Sequence, residues 1–130
     1  MSNRELVQYI FNLCFAQEHP DFAALELCVS DHYQQFVNGQ QLDKPAFMAH
    51  LRAQRLTVKQ FSIRFISLIE QGDIVFSHHV VTVEKHDGSQ ASVEVLAKLV
   101  IKAQQLLLCD EVTQLLEGTQ ADAQLASCLE

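Results

Sequence analysis

From Gln60 onward the apolar residues recur every second position in four successive runs, and this switch to a period of two constrains the fold more than any other feature of the chain. Gly72-Asp73 and Asp87-Gly88 mark the first two turns between the runs, and a third turn falls near Gln104. The spacing predicts strands of about 10 to 13 residues, roughly twice the common length, and strands that long twist and bend around something. Three helical segments lie earlier in the chain and are the natural contents of the curve. The expected class is α+β: a cone-shaped, curved antiparallel sheet wrapped around N-terminal helices.

The helical half begins with a capping box, Ser2 with Glu5, after which Leu6, Val7, Ile10, Phe11, Cys14 and Phe15 recur at helical spacing up to Pro20. Pro20 suits the first turn of a second, shorter helix carrying Phe22, Leu25 and Cys28. Tyr33 to Asn38 reads as a short strand broken at Gly39, and Asp43 as the cap of a third helix with Pro45 in its first turn and Phe47, Met48 and Leu51 as its buried stripe. At 130 residues one domain is expected, over 1–118, with 119–130 a tail or short helix.

Sixteen acidic and nine basic side chains give a net charge of −7, opposite in sign to a surface that neutralises phosphates, so nucleic acid is not an expected partner. Apolar runs of only a few residues fall short of the ~20 that cross a bilayer, and the first five residues do not resemble an export signal. A cytoplasmic protein is expected. Cys14, Cys28, Cys109 and Cys128 contain no Cys-x-x-Cys pair and read as free thiols.

Alternation assigns the faces of the two middle strands. Val75, Ser77, His79, Val81 and Val83 share one face with Val93, Val95, Ala97, Leu99 and Ile101, and this is the expected core side. The opposite face carries Phe76, Val80, Leu96 and Val100, too apolar for water alone, and predicts a homodimer through that face.

His79 is the ionisable group of that core face and the first candidate for an acid or base; a neutral imidazole satisfied by a neighbouring hydroxyl or carbonyl is the plainer alternative. Asp110 and Glu111 are adjacent, so one faces in and one out: parity favours Asp110, a bulge favours Glu111. The inward carboxylate either moves a proton in an apolar cone or forms a salt bridge at its rim. Tyr33 is a candidate to orient a ligand oxygen from the wide end, and Phe36, Phe47 and Met48 are candidate pocket walls or simply core. His78 and His79 diverge on their strand, so no metal site is expected, and no cofactor.

The runs Tyr33-Gln34-Gln35-Phe36-Val37-Asn38-Gly39, Phe47-Met48-Ala49-His50-Leu51, Phe76-Ser77-His78-His79-Val80 and Cys109-Asp110-Glu111-Val112-Thr113 resemble the SnoaL-like branch of bacterial proteins in the nuclear transport factor two-like superfamily. The resemblance extends from about residue 3 to Gly118 and departs at Ala103-Gln104-Gln105, where such proteins usually carry Asp-Gly-Lys. It implies the cone fold and a pocket for a small apolar molecule with oxygen functions. The alternatives are a cofactor-independent isomerase, dehydratase or cyclase with a His/carboxylate shuttle, and a protein-interaction module.

Thiol titration of the unfolded, unreduced chain is expected to find all four cysteines; fewer, with oxidation during handling excluded, would contradict the reading of free thiols.

Overall fold

A computed structural model describes residues 1–16 and 20–119. Helix α1 (Asn3–Phe11) starts at the capping box, with Ser2 Oγ accepting from the Glu5 amide and Glu5 Oε1 from the Ser2 amide. It continues into one π-helical turn, Asn12–Ala16, which buries Leu13, Cys14 and Phe15. The short helix α2 (Phe22–Cys28) is capped by Asp21 rather than opened by Pro20, which lies before the cap and outside the helix. Strands β1 (Val29–Val37) and β2 (Gln40–Asp43) follow, then α3 (Lys44–Thr57), whose Asp43 cap and early proline match the expected start. The long strands are β3 (Val58–Gln71), β4 (Ile74–Lys85), β5 (Gln90–Lys102) and β6 (Gln105–Glu117).

All six strands form one curved, unclosed sheet in the order β2-β1-β6-β5-β4-β3, with the N-terminal helices on its inner face. The fold is the expected α+β cone. Two features go beyond that expectation. The strand around Tyr33 begins earlier, at Val29, and runs parallel to β6, while β2 pairs with it through the tight Asn38-Gly39 turn. The tail expected beyond Gly118 lies, from residue 120 on, outside the described residues.

Curvature comes from extra residues in the ladders. Register shifts occur in β3 between Phe65 and Ser67, and in β6 opposite Val100 and Ile101, where Leu107 is the additional residue. A bulge bends its strand and raises the local twist. It also reverses parity downstream, so Leu106 faces the core, Leu108 does not, and Cys109 and Glu111 are turned back inside. The core joins α1 and the π turn to Phe47, Met48 and Leu51 of α3 and to the inner rows of β4 and β5.

Cys14, Cys28 and Cys109 are free, while Cys128 lies outside the described residues. Among the described residues no helix is long and apolar enough to cross a membrane.

The β5–β6 hairpin turns at Ala103 and Gln104, both in the left-handed region at φ 51° and 61°. Neither residue favours that region, whereas Asn-Gly does, as at Asn38-Gly39. Replacing the pair (Ala103→Asn with Gln104→Gly) is expected to raise stability by about 1 kcal/mol in urea denaturation; unchanged or lower stability would count against a strained turn.

Candidate functional site

Three elements bring polar groups into the apolar interior. On β1, Tyr33, Gln35 and Val37 point inward; on β6, Cys109 and Glu111 do; on β4, Ser77 and His79 do. Of these, Tyr33, Gln35, His79, Cys109 and Glu111, together with Phe11 and Phe15 of the first helical segment and Phe47 of α3, line a cavity of about 30 Å³, enough for one or two water molecules.

The polar groups are linked. Tyr33 Oη donates to Gln35 Oε1 at 3.2 Å, and Gln35 Nε2 donates to Glu111 Oε1 at 2.9 Å. The chain at Glu111 is held from outside by the Asn38-Gly39 turn. Asn38 donates its backbone N–H to the Glu111 carbonyl at 3.0 Å, and its side chain bonds both the Thr113 hydroxyl and the Thr113 amide. Burial pushes the Glu111 carboxyl up to about 7; the Gln35 amide opposes this, and neighbouring Asp110 adds to it.

His79 lines the same cavity. Its Nδ1 shares a 2.6 Å hydrogen bond with Ser77 Oγ, and its ring lies 5.0 Å from Phe11 and 5.7 Å from Phe65 between centroids. Burial, aided by the neighbouring His78, holds the imidazole down to about 4, so it is neutral at pH 7. It therefore enters neutral-pH chemistry as a hydrogen-bonding group rather than a cation. Cys109 also lines the cavity, and burial first, then Glu111, raises its thiol well above the usual range, which keeps it inert.

Of the residues singled out in the sequence, His79, Tyr33, Glu111 and Phe47 meet at this cavity. The others do not. Asp110 is exposed on the outer face, because the extra residue at Leu107 reverses the parity that favoured it. Phe36 pairs in register with Asp110 and points away from the interior, and Met48 is buried and does not line this cavity, bordering instead a separate hollow with Lys44 and Arg52. Tyr33 is not at a rim but buried, at 1% exposure. Gln35 was missed, since a glutamine within a polar-looking run carries no sign of burial; the alternation Tyr33, Gln35, Val37 was the available signal. Among the described residues no cluster of three or more His, Cys, Asp or Glu is arranged to hold a metal ion.

No family model matches the chain. An uncharacterized protein of Schizosaccharomyces pombe is 27% identical over 113 residues, spanning 87% of each chain. Among solved structures, the fold is similar to that of IdmH, a putative polyketide cyclase from Streptomyces antibioticus (TM-score 0.76, 9% identity, 97% of each chain). It is also similar to an LEH-like epoxide hydrolase of M. tuberculosis (TM-score 0.74, 12% identity, 86% of this chain and 82% of the other). An NTF2-like protein of unknown function from Exiguobacterium sp. 255-15 shares it too (TM-score 0.69, 17% identity, 87% and 98%). At these identities the likeness is one of fold, and the fold is the NTF2-like cone.

The two shifted groups act oppositely on stability. Glu111, raised from 4.5 to about 7, binds more protons folded than unfolded, so its contribution falls as pH rises through that window. His79, lowered from 6.5 to about 4, does the reverse: its contribution rises with pH from about 4 and is complete above 6.5. The slopes oppose each other between 4.5 and 6.5. Relative to wild type, Glu111→Gln is expected to make stability climb more steeply with pH there, and His79→Gln to make it fall, in chemical denaturation across that range. Parallel pH profiles for all three proteins would contradict the assignment.

Proposed function

We propose that the interior of the cone binds a small molecule with an apolar body and one or two oxygen functions, as the resemblance to the SnoaL-like branch implies. The observation that carries this reading is that aromatic walls meet Tyr33, Gln35, His79 and Glu111 in one cavity. Buried polar groups in an apolar interior have a desolvation cost that a core of pure packing function would avoid. At about 30 Å³ the cavity is smaller than most ligands, so entry displaces lining side chains. The π-helical turn that carries Cys14 and Phe15 is the natural place, since such irregular turns are common at functional sites.

A second reading, a cofactor-independent isomerase, dehydratase or cyclase, is favoured by Glu111. A carboxyl with a midpoint near 7 is matched to proton transfer at neutral pH, and a neutral His79 lining the same cavity supplies a hydrogen bond without adding charge. In this form Glu111 is the base and Tyr33 an orienting hydroxyl. Asp110 has no part in it.

The reading includes a homodimer through the outer face. Ile69, Phe76, Leu96 and Val112 are each more than half exposed there and surround a hollow of about 400 Å³. Val80 is already buried within its own chain, so Phe76 and Leu96 are the contact residues retained from the expected four that stand most clear of the surface. Lys98 pairs in register with Asp110 on this face, which gives a two-fold contact charges of both signs.

Native mass spectrometry of freshly purified protein tests the binding reading: a retained small molecule is expected, diminished in the Glu111→Gln, His79→Gln double variant. The bare polypeptide mass, together with no thermal shift from a chemically varied ligand set, would contradict it. Sedimentation is expected to show a dimer at micromolar concentration that Phe76→Asp with Leu96→Asp converts to monomer; a wild-type monomer would contradict the dimer.

A further inference from the structure

Beyond binding an apolar molecule, the cavity carries an asymmetry of charge and aromatic surface that narrows the ligand class. Its one acidic group is Glu111, and none of its described lining residues is a lysine or arginine. The imidazole of His79, which also lines it, is held neutral. The basic side chain near this end, Arg55, is half-buried and engaged elsewhere, its guanidinium 4.9 Å above the Phe61 ring and 3.4 Å from the carbonyls of Cys14 and Phe15, and it is not among the described lining residues. An ionised Glu111 therefore faces the interior with no lysine or arginine among the described residues that line it.

Aromatic rings line the same cavity. Tyr33 and Phe47 pack at 5.0 Å between centroids, and Phe11 and Phe15 at 6.2 Å, and all four rings line the cavity with Glu111. Aromatic faces carry negative potential and attract cations that have left water; a carboxylate beside them completes the same preference. An anion meets the opposite: an apolar enclosure, aromatic faces and a like charge. The Tyr33 hydroxyl donates to Gln35, and Gln35 donates to Glu111, so this chain of hydrogen bonds is directed toward stabilising negative charge on the carboxylate.

From the aromatic rings, the one carboxylate and the absence of a basic side chain among the described lining residues, we propose that the pole of the ligand facing Glu111 is a protonated amine. This rests on the reading of the interior as a binding cavity and specifies what it selects. The cavity volume of about 30 Å³ matches a small ammonium head group, the apolar remainder of the ligand lying toward the displaced wall. Binding draws Glu111 to its ionised form, so affinity falls about tenfold for each pH unit below its midpoint of about 7.

The test uses three probes of similar size and different charge, methylammonium, methanol and formate, titrated at constant ionic strength into the whole protein while backbone amide NMR shifts are followed. Methylammonium is expected to give saturable shifts at Glu111 and its neighbours on β1 and β6, at least about tenfold tighter than methanol, with formate excluded. In Glu111→Gln the preference for methylammonium over methanol is expected to vanish, while in Glu111→Asp, which keeps the charge, it persists. Methanol binding as well as methylammonium, or formate binding better, would overturn the amine assignment and leave the cavity reading standing. Saturable binding of none of the three would overturn both.

Discussion

Strands of 12 to 14 residues, laid side by side, have to bend if helices as short as these are to cover one face of the sheet. The bend is made by inserting single residues into the ladders, and the site depends on one of these insertions. Leu107 adds one residue to β6, and from there on the strand's faces are exchanged. Without it Asp110 would face the helices and Glu111 the outside. With it a carboxyl lies in the apolar interior, and the groups around it, Tyr33, Gln35 and the Asn38-Gly39 turn, are placed to hold it.

That arrangement costs stability. Raising a carboxyl from 4.5 to about 7 is equivalent to roughly 3 kcal/mol lost once it ionises, a sizeable part of the stability of a domain this size. A leucine at the same position would avoid the cost. That net cost already includes the hydrogen bond from Gln35, which lowers it and also orients the carboxyl. His79 is handled differently: it stays neutral, shares its Nδ1 with Ser77 and packs against two phenylalanines, so it contributes polarity without charge. Cavity, carboxyl and imidazole together give an interior with one charge-bearing pole.

Much of the fold was legible because alternation in β4 and β5 is uninterrupted, and in these strands every inner residue, His79 included, lies where its parity places it. Where parity breaks, local pattern is not enough. Whether Asp110 or Glu111 faces inward turns on a bulge among three consecutive leucines, Leu106 to Leu108, any of which suits either face. Strand β2 escaped notice because Gln40-Gln41-Leu42-Asp43 lacks β-branched or aromatic residues, although Asn38-Gly39 before it is a strong hairpin signal. Phe36 and Met48 looked like pocket walls by hydrophobicity alone, and hydrophobicity does not distinguish a cavity from the core or from the far side of a sheet.

Glu111 is a buried carboxyl facing an apolar cavity, and burial sets its proton affinity. Carbon-13 NMR of the glutamate side-chain carboxyls through a pH titration measures it directly, with Glu111→Gln assigning the resonance. A glutamate with a midpoint near 7, absent from Glu111→Gln, is expected. If the resonance lost in Glu111→Gln titrates near the ordinary 4.5, the carboxyl is solvated and the site described here does not exist.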